Sequence, residues 1–370
     1  RNILDEDRAL TFRQSAKCLM SERTLIIGGG LSGLALAEML ERDGRDYVLL
    51  EARSRFGGRI KTEHLGDGYF DMGPAWFWPA QPRIAGLIAR FGLEKFDQYA
   101  SGELTFEDEQ GHVQRGKGFS SMEGSWRLKG GLSALSEALV ERIPETKRAL
   151  NSEVTALAYD GSNITGRFRG ETSVFDKVVF AMPPRVAAKV KFEPALPDDV
   201  VTALTNVPTW MAGQAKAVAV YDTPFWRDAG LSGDAMSRRG PMTEIHDASP
   251  EVGGPYALFG FIGVSPRDRA DEQVLRHHIV AQLTRLFGEP AAEPKALFLK
   301  DWAFDPRTAT EADKAPLYAH PTYGSPRNLI GLWNGQLIFS GTEVAEQFGG
   351  YLEGALESAE KSFNLYFSNT

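Results

Sequence analysis

Two features of the sequence combine residue types and spacings that could do chemistry. The first is Gly28-Gly29-Gly30-Leu31-Ser32-Gly33, set between a short apolar run, Thr24 to Ile27, and a helix-forming stretch that reaches Arg42 before Gly44. In that setting the first glycine of Gly-x-Gly-x-x-Gly permits a tight turn. The second lets a diphosphate approach the backbone, and the third lets helix and strand pack closely. Free N–H groups and the positive end of the helix dipole then favour the phosphates. A second apolar run, Tyr47 to Leu50, ends at Glu51, where a carboxylate can bond a ribose hydroxyl. The unit reads as strand, turn, helix, strand for a dinucleotide, without deciding which dinucleotide.

The second feature is Lys216, the lone charge in Gly213-Gln214-Ala215-Lys216-Ala217-Val218-Ala219-Val220. A lysine in so apolar a strand is costly to bury without a partner. Strand alternation by itself reads it as an exposed lysine on the solvent face of an edge strand.

At 370 residues the chain is long for one core and suits two domains. Periodicity predicts helices over 83–91, 132–142 and 271–287, the last closed by Gly288, and a terminal helix starting near Gly350. Strands are expected at 153–158, 176–181, 213–221, 256–263, 296–302 and 336–340. The expected fold class is α/β, a Rossmann-like nucleotide domain interleaved with a smaller α+β substrate domain. Segments 20–76, 128–186 and 328–370 are assigned to the first, and 77–127 and 187–327 to the second. Residues 1–19 lack an apolar signal core and read as an extension, with folding information starting near Met20.

Composition excludes several classes. Hydrophobic residues at 42% and charged residues at 24% fit an ordered globular chain. A net charge of −8 disfavours nucleic acid and anionic membrane as partners. Cys18 is the single cysteine and the six histidines are scattered, so neither a disulfide framework nor a metal site is expected. No apolar run is long enough for a membrane span, and a cytoplasmic location is expected.

Beyond Glu51-Ala52-Arg53 the chain runs into Phe56-Gly57-Gly58-Arg59, a second glycine pair and arginine. Here the sequence resembles the flavin-containing amine oxidase family, which includes monoamine, polyamine and L-amino-acid oxidases. The resemblance continues through Asp71-Met72-Gly73-Pro74-Ala75-Trp76, Lys129-Gly130-Gly131, Val154 and Ala181-Met182-Pro183-Pro184. It is most specific in Phe339-Ser340-Gly341-Thr342-Glu343 and Gly349-Gly350-Tyr351-Leu352-Glu353-Gly354-Ala355.

What the resemblance implies is a two-dinucleotide-binding-type domain holding FAD. Gly28, Gly30, Leu31, Ser32, Gly33, Glu51, Ala52, Arg53, Gly57, Gly58 and Arg59 would take its diphosphate and ribose, and Val154 would pack by the adenine. Gly73, Pro74, Ala75 and Trp76 would pass the ring, with Gly341, Thr342, Glu343, Gly350 and Tyr351 at the far end. Lys216 matches a lysine that holds a water near the flavin and assists reoxidation. Tyr351, with Tyr318 more loosely aligned, matches aromatic rings that steer the amine. Some relatives attach flavin through a cysteine where Leu317 stands here, so non-covalent FAD is expected. The stretch between Trp76 and Gly130 is short beside larger monoamine oxidases, which implies a pocket that is reduced, more open, or completed by a partner.

The expected activity is oxidation of a C–N bond in a small amine, with molecular oxygen as the final acceptor. A flavin dehydrogenase, desaturase or isomerase stays open beside it, as does a non-catalytic flavoprotein. Oligomeric state is left open.

Overall fold

The apolar runs on either side of the glycine turn pair with each other. In a computed structural model, which describes residues 22–315, 317 and 319–368, strand Arg23–Ile27 lies at the centre of a five-stranded sheet. It sits between Lys177–Phe180 and Asp46–Leu50, with Leu337–Phe339 and Arg148–Ala149 outermost. Every pairing in this sheet is parallel. The expected extension 1–19 and the candidate Tyr318 lie outside the described residues.

A parallel sheet is covered on both faces, and its period of two decides what each side meets. Ile26, Leu49, Val179 and Ile338 pack against helices Leu31–Arg42 and Leu352–Tyr366. Leu25, Ile27, Leu50, Val178, Phe180 and Phe339 face the other way, against Val154, Leu157, Ile164 and Phe175. Those residues belong to a second sheet of Glu171–Phe175, Ile164–Phe168, Val154–Tyr159 and Lys191–Glu193. Ala187, Leu196, Val200 and Leu204 join the same core, so the stretch following Pro184 also packs onto this layer.

The remaining large sheet has seven strands. In spatial order they are Ala296–Asp301, Ala215–Tyr221, Tyr256–Ile262, Met242–Asp247, Leu231–Ser237, Glu103–Glu107 and Val113–Gly116. Helix Glu272–Phe287 starts at Asp271, whose side chain accepts from Gln273 N and Val274 N, an N-cap. Its Leu275, Ile279, Leu283 and Leu286 cover one face, over Ala215, Ala217, Ala219 and Leu258. Val218, Val220, Ala257 and Phe259 line the opposite face against Phe70, Met72, Ala75 and Trp76.

Strand Ala215–Tyr221 is therefore buried along its whole length and has a neighbour on each side. The edge-strand reading of Lys216 fails for that reason: with both faces covered, alternation separates two interiors rather than interior from solvent. Lys216 shares the face of Val218 and Val220, turned towards Phe70, Met72, Ala75 and Trp76.

Candidate active site

Helix Leu31–Arg42 opens at Gly30 with no side-chain cap and no acidic residue in its first turn. The protein thus leaves its first N–H groups and positive dipole end unanswered, as anion binding requires. A Cβ on Gly33 would sit 1.9 Å from the Gly28 carbonyl oxygen, whereas one on Gly30 would meet nothing nearer than Gly58 Cα at 3.9 Å. Gly33 closes helix onto strand, and Gly30 borders open space that a Cβ would fill. Glu51 is buried; its Oε2 accepts from Gly29 N at 2.8 Å and its Oε1 from Arg53 N at 2.8 Å.

A continuous cavity of about 860 Å³ runs from this turn to the seven-stranded sheet. Of the residues singled out from sequence, it is lined by Gly28, Gly30, Leu31, Ser32, Glu51, Ala52, Arg53, Gly57, Gly58, Arg59, Gly73, Pro74, Ala75, Trp76 and Val154. Lys216, Gly341, Thr342, Gly350 and Tyr351 line it too. Gly33 and Glu343 do not. Glu343 lies fully buried behind the wall, with Oε1 accepting from Arg59 Nη1 at 2.6 Å. Arg53 spans to Asp305 Oδ1 and Thr308 Oγ1, both at 2.9 Å, so it ties the Glu51 corner to the facing loop.

Lys216 is 3% exposed. Its Nζ donates to the Gly73 carbonyl at 3.1 Å and lies 4.1 Å from the Phe259 ring centroid. Burial brings its ammonium down to about 7, opposed by Asp71 and reinforced by Arg127. An amine that titrates near neutrality in a cavity wall can exchange a proton with a substrate or a water.

At the far end, Tyr351 is the N-cap of helix Leu352–Tyr366, just past the expected start near Gly350. Its ring stacks on His320 with centroids 5.1 Å apart and planes at 16°. Trp78 stands edge-on to Tyr351 at 6.4 Å, and Trp210 contacts His320 at 4.9 Å. The loop leading to Tyr351 is pinned by Glu357, which accepts from the backbone N–H groups of Glu346, Gln347 and Phe348. His320, Trp210 and Trp78 escaped the sequence reading as site residues. They lie in irregular stretches without periodicity, and only proximity in space to Tyr351 marks them.

Strand Met242–Asp247 carries a β-bulge. Met242 pairs with Ile262 and Glu244 with the adjacent Phe261. Met242 and Ile245 both join the core under helix Glu272–Phe287, a spacing that unbroken alternation forbids. The extra residue, Thr243, turns Glu244 and His246 to the cavity side. Gly263 gives it room, since a Cβ there would meet Thr243 Cγ2 at 2.1 Å. His246 Nδ1 is 2.6 Å from Asp234 Oδ1, and its Nε2 is 2.8 Å from Glu244 Oε1. Burial opposes protonation of this ring, yet the two carboxylates hold its pKa above the ordinary value.

A glycine turn at the carboxyl edge of a parallel sheet, opening into a second, aromatic-walled chamber, makes a site of two connected parts. A family profile described as flavin containing amine oxidoreductase matches residues 31–118 and 112–362. Among curated proteins, a probable flavin-containing monoamine oxidase A of Dictyostelium discoideum is 23% identical, over 90% of this chain and 95% of its own. Among solved structures, a double mutant of putrescine oxidase superposes with a TM-score of 0.77 at 20% identity, over 92% of this chain and 98% of that one. Cyclohexylamine oxidase from Brevibacterium oxydans IH-35A gives a TM-score of 0.77 at 21% identity, over 92% and 98%. The chain belongs to the flavin-containing amine oxidase family and is an oxidoreductase. Among the described residues no helix is long and apolar enough to cross a membrane.

Proposed function

We propose that the chain binds FAD non-covalently along the cavity and oxidises a small amine, with molecular oxygen as the terminal acceptor. The observation that supports this best is the continuity of one cavity from the uncapped turn and Glu51 to Lys216 and the Tyr351–His320 stack. FAD, when bound, supplies the two-electron acceptor at the reacting carbon. Gly28, Gly30, Leu31, Ser32 and Arg59 would hold its diphosphate, with Gly33 keeping the turn closed and Gly57 and Gly58 flanking it. Glu51, positioned with Ala52 and Arg53, would take the ribose, and Val154 would face the adenine. Gly73, Pro74, Ala75, Trp76, Gly341, Thr342 and Gly350 would border the ring end, with Glu343 orienting Arg59 from behind.

Substrate handling falls to this chain's own side chains. Tyr351, backed by the stacked His320, would present a flat aromatic face to the incoming amine. Lys216 offers Nζ as a proton acceptor from an ammonium or as an anchor for a water, because burial brings its pKa down to about 7. Leu317 stands where the resemblance places a cysteine in covalently flavinylated relatives, which favours a non-covalent cofactor. The division into segments 20–76, 128–186 and 328–370 against 77–127 and 187–327 belongs to the same proposal, as does a cytoplasmic setting.

The test is anaerobic mixing of the purified yellow protein with an amine panel. Bleaching of the flavin by an amine, peroxide on admitting air, and release of intact FAD on denaturation are expected. A flavin that no amine bleaches would refute the activity, and a flavin that stays with the denatured chain would refute non-covalent binding.

A further inference from the structure

The cavity wall holds a carboxylate, Glu244, that the amine-oxidising reading leaves unused. Lys216, Phe261 and Glu244 stand opposite one another on three adjacent strands, so their side chains share one face. Two interstrand steps put the outer Cα positions about 10 Å apart. Lys216, Phe261 and Glu244 all line the cavity. Glu244 is on this face only because of the bulge at Thr243, a ladder defect that forfeits regular pairing.

The chemistry of Glu244 is settled by its neighbours. Ser121 Oγ donates to Oε1 at 2.6 Å, and His246 Nε2 lies 2.8 Å from the same oxygen. Among the described residues no protein donor is recorded at Oε2. The His246 hydrogen bond and charge, with that of Ser121, hold the carboxyl below its usual range against the pull of burial. His246 is itself shared with Asp234, whose other oxygen accepts from Ser120 at 2.5 Å. Each ring nitrogen of His246 thus meets a carboxylate, and even with the ring protonated two carboxylates leave the cluster one negative charge in excess. An anion in a partly dry wall attracts a cation far more than it would in water.

We propose that Glu244 receives the second, cationic end of the substrate, so that the preferred substrates are amines carrying a distal ammonium or guanidinium group. This rests on the amine-oxidising reading of the site. The reacting amine sits towards Lys216 and the Tyr351–His320 stack, the methylene chain crosses Phe261, and the distal cation bonds Glu244 Oε2. A monoamine of equal length leaves that carboxylate without a cation.

The experiment compares straight-chain α,ω-diamines with n-alkylamines of matched length in the holoenzyme, by anaerobic flavin reduction and by binding calorimetry. Wild type is expected to favour the diamine, and Glu244→Gln to cut the diamine-to-monoamine ratio of kcat/KM by about 10- to 100-fold, the worth of one charge-assisted hydrogen bond. Glu244→Asp, which retracts the carboxylate by one methylene, is expected to restore part of the ratio and to move the optimum to a longer diamine. Flavin content and unfolding midpoint of each variant report on folding. A ratio near unity in wild type, or one unchanged in Glu244→Gln, would overturn the assignment. Diamine binding that depends on Glu244 while no amine bleaches the flavin would instead overturn the amine-oxidising reading and leave the Glu244 assignment standing.

Discussion

Lys216→Met isolates the energetic signature of the buried amine. Unfolded, the lysine titrates at 10.5; in the fold burial brings it to about 7. Between those values the unfolded chain holds a proton that the folded chain has released, so stability must rise as pH climbs from about 7. At about 1.4 kcal/mol per pKa unit, and with the folded group half-protonated at its own pKa, the gain from pH 7 to pH 9 is about 2 kcal/mol. The upper limit is kept below pH 10 because Tyr47, Tyr221 and Tyr323, all raised by burial, reverse the trend once unfolded tyrosine ionises. Thermal or denaturant unfolding at the two pH values checks the point. The Met variant is expected to be more stable at pH 7 and to lose the rise towards pH 9. An identical pH slope in variant and wild type would refute the claim that Lys216 is the group whose proton folding expels. The same variant is expected to keep its flavin while reoxidation slows, and stopped-flow reoxidation at the wild-type rate would remove Lys216 from that step.

The remaining predictions follow from the turn and the aromatic wall. Gly33→Ala must displace the Gly28 carbonyl from a 1.9 Å approach, so it is expected to destabilise the fold by about 3 kcal/mol, read by denaturant unfolding. Gly30→Ala has clearance within the protein and is expected to fold normally but to lose flavin on dialysis, measured by absorbance. Glu51→Ala strips the partner from two backbone N–H groups, at about 1–3 kcal/mol each, and is expected to lower flavin retention; unchanged content would contradict the ribose role. His320→Ala removes the ring stacked on Tyr351, and is expected to raise the amine concentration needed for half-maximal anaerobic bleaching several-fold.

The parts legible in the sequence are those whose chemistry is local. The turn, the strand before it, the helix after it and Glu51 are contiguous or nearly so, and each residue type has one steric or electrostatic reason to be there. The same holds for helices Pro82–Phe91, Ser133–Glu141 and Glu272–Phe287, which fall where periodicity put them. Strands Leu231–Ser237 and Met242–Asp247 carry no such local signal. One reads Leu-Ser-Gly-Asp-Ala-Met-Ser, without β-branched residues, and the other breaks alternation at its bulge. Lys216 is subtler: its strand is legible in the sequence, but the meaning of its charge depends on which strands lie beside it. His320 and Trp210 became neighbours of Tyr351 through tertiary folding alone, and no spacing along the chain encodes that.

The register step at Thr243 couples selectivity in this pocket to strand pairing as well as to side-chain identity. Drawing that one residue into the ladder opposite Phe261 would change neither net charge nor any ionisable group. It would nonetheless restore strict pleating and exchange the outlook of everything from Glu244 to Asp247, sending Glu244 and His246 under the long helix and Ile245 into the chamber. Among homologues sharing about a fifth of their residues, a column-by-column comparison across this strand can drift by that same single position. Substrate preference among such proteins is therefore better judged from which side chain crosses the sheet opposite Phe261 than from which letter is written beneath Glu244.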